Sequence, residues 1–201
     1  MPSDLHELLP RATIRVVTHF LVHPESELHF RALQRHTSLG IHSLQREVAR
    51  LESLGLIDRR EEDGRVIFSA VADHPSWDAF RVLVREHAHP GDILREAIHD
   101  VEGIDAAFVF GSQVRGDTRP DSDVDLLVVG DEIASHQLGE AMLRAQALLD
   151  RRVDVKHYTR SKLAAGLAQG SRFLHEVLAG PKEWLVGSAE VLPTVASAPA
   201  R

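Results

Sequence analysis

Apolar residues recur at helical spacing through the first part of the chain. Residues 11–22 place them on one face, and Pro24 follows, so a helix is predicted to end there. Leu28, Phe30 and Leu33 indicate a short second helix, and residues 37–40 predict a tight turn. Residues 41–54 then repeat apolar groups every three or four positions, as an amphipathic helix does. Two helices joined by a turn ending in glycine are typical of a helix-turn-helix.

The pattern changes after this predicted helix-turn-helix. Asp63-Gly64 lies between two short strand-like runs and predicts a hairpin, which in this position would be a wing. Residues 11–72 therefore resemble the winged-helix transcription regulators of the arsenic-repressor type. The resemblance implies a DNA-binding domain at residues 1–74, a regulatory role and a homodimer that reads two half-sites.

The second part of the chain alternates between strands and helices. Residues 75–91 predict a linking helix, followed by a helix at 93–101. Buried strands are predicted before Gly111 and Gly130 and at residues 151–158, with a helix at 136–149. The predicted domain spans residues 92–187 and ends with helical residues 160–178, interrupted near Gly170, and a short strand at 181–186. A flexible tail is predicted for residues 188–201. The predicted fold class is α+β, with an N-terminal winged helix-turn-helix and a small mixed sheet with flanking helices.

Gly111 and Ser112 end the first of these strands. A glycine at a strand end lets the backbone approach a ligand closely. If a helix begins at Ser112, its free N–H groups favour a phosphate, and Arg115, one turn later, adds a charged donor. We therefore expect Gly111, Ser112 and Arg115 to bind a nucleotide.

Asp123 and Asp125 stand one residue apart among apolar neighbours. On a strand, positions i and i+2 point to the same side, so the two carboxylates are expected together. Such a pair is costly unless a cation neutralises it, and Mg²⁺ is the usual hard ion shared with substrate phosphates, with Mn²⁺ as a second possibility. Asp154, between Val153 and Val155, supplies a third carboxylate if its strand lies beside theirs.

These residues together resemble the polymerase-β-like nucleotidyltransferase superfamily. Gly-Ser-x-x-x-Gly followed by Ser-Asp-x-Asp-Leu resembles its minimal nucleotidyltransferase branch, over roughly residues 92–187. The resemblance implies that Asp123, Asp125 and Asp154 are metal-binding and catalytic, and that Gly111 and Ser112 hold the triphosphate. It also implies a nucleoside triphosphate substrate, for which ATP is expected. Minimal nucleotidyltransferases often act beside a helical toxin, so a toxin–antitoxin partnership is a further possibility.

Simpler roles stay open for several of these residues. The aspartates could be turn and strand-end acids, and Lys156 could pair with Asp154 and neutralise it. Arg115 could form an ordinary salt bridge. Lys182 could contact a phosphate or lie on the surface.

Charge and composition limit the remaining function classes. The net charge is −7, so any contact with duplex DNA must come from a local patch. Candidate DNA-binding residues lie on the 41–54 helix and the wing: His42, Ser43, Gln45, Arg46, Arg50 and Arg65. Residues 1–74 nevertheless carry nine arginines and eleven acids, and Glu47 would repel a duplex if it faced one.

The thirteen histidines are scattered along the sequence, and we expect them to be solvated or to cap helices. The chain has no cysteine, opens without a basic-then-apolar segment and has no long apolar run. We therefore expect a cytoplasmic protein that does not enter a membrane.

Two function classes follow. The first is a Mg²⁺-dependent enzyme that transfers a nucleotidyl group, expected to be AMP, to a hydroxyl of a protein, an RNA or a small molecule. The second is a DNA-binding regulator whose nucleotidyltransferase-like domain only senses a nucleotide. A complete trio of carboxylates favours the enzyme, because a sensor needs only the phosphate cradle and one metal.

Overall fold

The computed structural model describes residues 9–115 and 122–192. By its internal contacts the chain divides into two compact units, Met1–His99 and Asp100–Arg201. Both combine helices with a β-sheet, so the predicted mixed α+β character is confirmed. Among the described residues, none of the helices combines the length and the apolar character that crossing a bilayer requires. The predicted tail falls largely on residues 193–201, which lie outside the described residues.

The first unit contains five helices and three strands within its described residues. In chain order they are α1 (Arg11–Val22), β1 (Glu27–His29), α2 (Phe30–Thr37), α3 (Ile41–Ser53), β2 (Ile57–Glu62), β3 (Arg65–Ala70), α4 (Ser76–His87) and α5 (Pro90–Ala97). The sheet is antiparallel in the order β1-β3-β2.

Backbone geometry explains the turns of this unit. Ser38 adopts a left-handed conformation with φ 50° and ends α2, and α3 begins three residues later. Asp63 and Gly64, with φ values of 50° and 72°, form the two-residue turn between β2 and β3, which pairs Glu62 with Arg65. The tight turn between α2 and α3 and the hairpin of β2 and β3 thus lie where the sequence predicts them.

One prediction in this region was wrong. Leu28 was assigned to the second helix, but it lies in β1, opposite Phe68 of β3. Glu27 and His29 are exposed while Leu28 is partly buried, so the three residues alternate as a strand does. Pairing with β3 outweighed a helical pattern that only a few apolar residues supported, and α2 begins at Phe30.

The helix predicted at 93–101 is α5, which begins at Pro90 and ends at Ala97. His89 is its N-cap residue, and its side chain accepts a hydrogen bond from the Gly91 N–H at 3.2 Å. This histidine is therefore a capping residue, as expected. Helix α5 packs on α1 within the first compact unit, whose division from the second falls at residues 99 and 100.

The second unit is built on a four-stranded mixed sheet. Its described elements are β4 (Ala106–Phe110), α6 (Ser112–Arg115), β5 (Val124–Val129), α7 (Ser135–Leu149), β6 (Val153–Tyr158), α8 (Arg160–Ala168), α9 (Arg172–Ala179), β7 (Glu183–Val186) and a 3₁₀ turn, Ala189–Val191. The strand order is β6-β5-β4-β7. Strands β5 and β6 are parallel, and β4 is antiparallel to both β5 and β7.

Strands β4 and β5 form the centre of this unit's core. Every residue of β4 is buried, and so is every residue of β5 except Asp125. One face of the sheet carries Phe108, Leu127 and Val129, which pack against Leu163 of α8 and Leu174 of α9. Helix α7 supplies the crossover that parallel neighbours require. The only partly exposed position of β5 is therefore an acid at its beginning.

Candidate active site

Three chain segments meet at one edge of the four-stranded sheet. Strand β4 runs antiparallel to β5, so its last residue, Phe110, lies opposite Asp125 near the beginning of β5. Strand β6 runs parallel to β5, so the beginnings of both strands lie at that edge, and Asp125 is in register with Asp154. The Gly111-Ser112 turn, Asp125 and Asp154 are thereby brought together from distant parts of the sequence.

Asp123 and Asp125 occupy the beginning of β5. Asp123 precedes the first strand residue and is exposed, and Asp125 is partly buried. Val124 and Leu126 between and after them are fully buried. The apolar positions thus anchor the strand in the core and leave the carboxylates at its accessible end.

The backbone at Gly111 lies directly against the Asp125 carboxylate. Its φ is +78°, a conformation that L side chains rarely adopt. A Cβ atom at this position would overlap Asp125 Oδ2 and lie 3.1 Å from Asp125 Cγ. The absence of a side chain at residue 111 therefore makes room for the carboxylate that the sheet register places beside Asp154.

The local electrostatics disfavour a charged Asp125 in the absence of a cation. Burial raises the pKa of the Asp125 carboxyl, and the negative charges of Asp154 and Asp123 raise it further. The positive charges of Lys156 and Arg115 act in the opposite direction, but the net shift is upward. A cation bound among these acids would remove this unfavourable energy.

Asp154 has a partner on its own strand. Lys156 lies two residues further along β6, on the same side, and its Nζ donates to Asp154 Oδ1 at 3.1 Å and lies 3.0 Å from Oδ2. Both side chains are substantially exposed, so the pair contributes little to stability. The ion pair that the sequence left open is therefore present, and it competes for the third carboxylate.

Ser112 and Arg115 lie in the four-residue helix α6 that follows Gly111. The Arg115 N–H donates to the Gly111 carbonyl at 3.3 Å. The Arg115 side chain is exposed, and its positive charge lowers the pKa of Asp125. It therefore lies close enough to act electrostatically on the same edge of the sheet.

Arg151 forms hydrogen bonds close to the acidic residues, and no sequence motif marks it. Its Nε donates to the Ser122 carbonyl at 2.9 Å, and its guanidinium also donates to Gln113 Oε1 at 3.2 Å and to Ser122 Oγ at 3.3 Å. It thus ties α6 to the residue that precedes Asp123. An arginine two residues before a strand has no distinctive pattern, and its role follows only from the parallel pairing of β5 with β6.

Lys182 does not serve as a freely exposed surface lysine. Its Nζ donates to the carbonyls of Leu178 at 2.9 Å and Gly180 at 2.8 Å, so it satisfies backbone acceptors at the end of α9. Burial lowers the pKa of its ammonium group. Its observed contacts are structural.

Part of the chain matches the model of a known family. Residues 93–173 match the family model described as Polymerase beta, Nucleotidyltransferase. This segment is similar to a nucleotidyltransferase domain. It includes Gly111, Ser112, Asp123, Asp125 and Asp154, so the nucleotidyltransferase resemblance is confirmed for this part of the chain. No curated protein and no solved structure matches the chain significantly.

The residues predicted to bind DNA lie outside the matched segment. His42, Gln45 and Arg46 are exposed on α3, Ser43 is partly exposed, and Arg65 is exposed at the beginning of β3. Arg50 is engaged within its own domain: its guanidinium is 2.6 Å from Glu47 Oε1 and donates to Thr13 Oγ1 at 3.0 Å. Glu47 is buried, so its carboxylate does not face outward toward a duplex.

The expectation that all histidines are solvated or capping was wrong. His19 is 1% exposed and lies with His36 against the buried carboxylate of Glu96. These residues are distant in sequence and share no spacing motif, so only the packing of α1, α2 and α5 reveals the cluster.

Proposed function

We propose that the chain is a Mg²⁺-dependent nucleotidyltransferase fused to a DNA-binding winged helix. It would transfer a nucleotidyl group, AMP in the first instance, from a nucleoside triphosphate to a hydroxyl acceptor. The observation that carries the proposal is the sheet edge at which Gly111 makes room for Asp125 and Asp125 is in register with Asp154. The family match over residues 93–173 supports the same class of chemistry.

The residues at this edge suit a hard divalent cation. Asp123 and Asp125 offer oxygen donors only, which is the ligand type that Mg²⁺ and Mn²⁺ prefer. Asp125 is a partly buried acid whose pKa is raised, first by burial and then by its acidic neighbours, so a cation there is electrostatically favourable. We assign Asp123 and Asp125 as ligands, with Asp154 as the third. Bound Mg²⁺ would neutralise phosphate charge and polarise the attacking oxygen.

The chain's own side chains account for the other steps. Gly111 and Ser112 would hold the triphosphate against the sheet edge, and Arg115 would donate to its oxygens. The acceptor oxygen forms a bond to the α-phosphorus while the bond to the bridging oxygen breaks, and pyrophosphate leaves. Asp154 would take the hydroxyl proton once Lys156, which donates to its carboxylate, has moved away.

The N-terminal unit would supply the regulatory part. His42, Ser43, Gln45 and Arg46 on α3 would read a major groove, and Arg65 would contact the backbone or minor groove. Arg50, which is held by Glu47, is the weakest of the predicted contacts. Two copies of the chain would read two half-sites as a homodimer.

A second candidate is a regulator that binds a nucleotide without transferring it. The observation in its favour is the ion pair of Lys156 with Asp154, at 3.0 Å, because a permanently paired Asp154 could not accept a proton. Such a protein would keep the phosphate cradle and one metal, and nucleotide binding would alter its affinity for DNA.

The test begins with calorimetric titration of the purified chain with ATP and then the other triphosphates, each with and without Mg²⁺. Mg²⁺-dependent binding that is lost in Asp123→Asn/Asp125→Asn and kept in Glu132→Gln supports the site, because Glu132 is an exposed acid of the same unit. If well-folded protein binds no triphosphate, the proposal fails.

Asp154 then separates the two candidates. Transfer of label from α-labelled ATP to an acceptor in whole-cell extract, absent in Asp154→Asn although that variant still binds Mg²⁺-ATP, supports the enzyme. Binding without transfer by the wild-type chain, together with a nucleotide-dependent change in affinity for duplexes selected from a random library, supports the sensor.

A further inference from the structure

A second cluster of ionisable groups lies within the first compact unit, whereas the acidic sheet edge belongs to the second. His19 of α1, His36 of α2 and Glu96 of α5 meet in its interior. Their side chains are 1%, 7% and 8% exposed, so water has little access to them. A buried carboxylate is costly without strong partners, and the two histidines supply them.

Both imidazole rings point their Nδ1 atoms at the same oxygen of Glu96. Glu96 Oε1 is 2.8 Å from His19 Nδ1 and 3.0 Å from His36 Nδ1, and all three atoms lie within 4.8 Å of one another. His23 is at the rim of the cluster, with its Nε2 3.6 Å from the same oxygen. Three potential ligand atoms therefore converge on a single small volume.

The outer nitrogen of His19 is also held. Its Nε2 lies 3.0 Å from Ser26 Oγ. A histidine that binds a metal through one ring nitrogen usually donates its other N–H to such a partner, which fixes the tautomer and the ring orientation. In the metal-free protein His19 Nδ1 carries a proton and donates it to Glu96. A bound metal would displace that proton, and with the remaining proton on Nε2, donated to Ser26 Oγ, the Nδ1 lone pair would face the ion.

We propose that His19 Nδ1, His36 Nδ1 and Glu96 Oε1 bind one transition-metal dication of the Zn²⁺ type. Two imidazole nitrogens and one carboxylate oxygen form a ligand set that such ions take, with a fourth position left for water or His23. Bonds of about 2.0 Å in a tetrahedral site separate the ligand atoms by roughly 3.3 Å. The observed separations of 2.8 and 3.0 Å are a few tenths of an ångström shorter, and small side-chain rotations close that difference.

This site differs in chemistry from the one proposed at the acidic sheet edge. The nitrogen donors favour borderline ions over Mg²⁺, which prefers oxygen ligands and retains several waters. The metal would join α1, α2 and α5 and thereby brace the helix that precedes α3. Its role would be structural or regulatory within the N-terminal unit and independent of nucleotide chemistry.

The first experiment uses tag-free full-length protein, stripped with a chelator and dialysed. It is titrated calorimetrically with Zn²⁺ in buffer that contains millimolar Mg²⁺, with the Asp123→Asn/Asp125→Asn chain run in parallel. We expect one equivalent of Zn²⁺ per chain in both proteins, and visible d–d absorption when Co²⁺ is bound instead. Folded wild-type protein that binds neither Zn²⁺ nor Co²⁺ at a stoichiometric site would overturn the proposal.

Variants locate the ion. His36→Gln and Glu96→Gln are expected to weaken Zn²⁺ binding by at least about 100-fold, whereas His136→Gln, whose side chain is 87% exposed, is expected to change nothing. Stoichiometric binding that survives in both cluster variants would contradict the assignment. Because either variant could fail to fold, zinc-edge absorption spectroscopy of the wild-type complex gives a second measurement: an all-nitrogen-and-oxygen shell with two imidazoles is expected, and a shell without imidazole would refute the site.

Discussion

The two ionic clusters of this protein shift the pKa of a carboxyl group in opposite directions. At the sheet edge, the pKa of Asp125 is raised by burial and by Asp154 and Asp123. In the N-terminal unit, burial also raises the pKa of Glu96, but hydrogen bonds from His19 and His36 outweigh it and hold the pKa at about 2.

The acids at the sheet edge therefore lack a compensating positive charge, whereas the carboxylate of Glu96 is already compensated by hydrogen bonds from the histidines. The acids at the sheet edge repel one another, and no group of three of them among the described residues has all its ligand atoms within 4.8 Å. The histidines and Glu96 attract one another and do form such a group. Repulsion among the acids is the reason that a cation with its nucleotide is expected at the sheet edge. A transition metal in the histidine cluster would instead have to displace the protons that the imidazoles donate to Glu96.

The largest expected effect concerns function at the sheet edge. Asp123→Asn/Asp125→Asn removes both proposed Mg²⁺ ligands, and we expect nucleotidyl transfer to fall by about 1000-fold or more, because metal stabilisation of the transition state is worth several kcal/mol. The rate of label transfer from α-labelled ATP measures this. Glu132→Gln is the matched control, and a double variant with near wild-type transfer would show that the chemistry lies elsewhere.

Next in size is the contribution of Glu96 to stability. Its folded pKa of about 2 lies below the unfolded value, so its stabilisation is fully present above about pH 4.3 and is lost as the pH falls through the folded value. We expect Glu96→Gln to lower the free energy of unfolding by about 3 kcal/mol at pH 7, measured by urea denaturation with a chelator present.

The pH dependence provides the check on that prediction. The difference between Glu96→Gln and wild type should shrink steadily between about pH 4.3 and pH 2, since this carboxylate is then protonated in the unfolded wild-type chain while it stays charged in the folded one. A difference that stays constant over this range would mean that packing, and not charge, explains the loss. Glu102→Gln, an exposed acid, is the matched control.

A smaller effect is expected at the backbone beside Asp125. Gly111→Ala places a Cβ against the Asp125 carboxylate and requires a positive φ that alanine disfavours by about 1–2 kcal/mol. We expect a destabilisation of that size and nucleotide binding weaker by more than the stability loss explains. Gly170→Ala, which also has a positive φ of 75° but no neighbour near its Cβ, is the control for backbone strain alone.

The smallest expected effect tests whether the charge of Asp125 destabilises the metal-free protein, in contrast to the charge of Glu96. Because the charged form of Asp125 is disfavoured in the folded protein, Asp125→Asn should leave the metal-free chain as stable as wild type or up to about 1 kcal/mol more stable at pH 7, given the solvent screening of a half-exposed group. Chemical denaturation in a chelator measures it. A clear destabilisation would mean that the acid is satisfied without a cation.

Sequence reasoning located the elements whose patterns are local. The helix at residues 11–22, the Asp63-Gly64 turn and the strand ending at Gly111 each depend on spacing within a few residues. It failed for Leu28, because only pairing with Phe68 distinguishes its strand from a helix.

The same distinction between local patterns and long-range contacts applies to the residues of the two candidate sites. Gly111, Asp123, Asp125 and Asp154 could be proposed because a family motif connects them. Arg151 and the cluster of His19, His36 and Glu96 could not, because their contacts join residues between 29 and 77 positions apart, without any shared pattern. Their roles depend on packing, which a single sequence does not display.

The register of β5 against β6 has a consequence for how this protein tolerates change. Hydrogen bonding between the strands, and not the length of the chain between them, sets Asp154 opposite Asp125. Insertions within the crossover that leave the strands paired would keep the acids together. A slip of a single residue in either direction would instead bring Val153 or Val155 opposite Asp125, erasing the third acid without altering one letter of the motif.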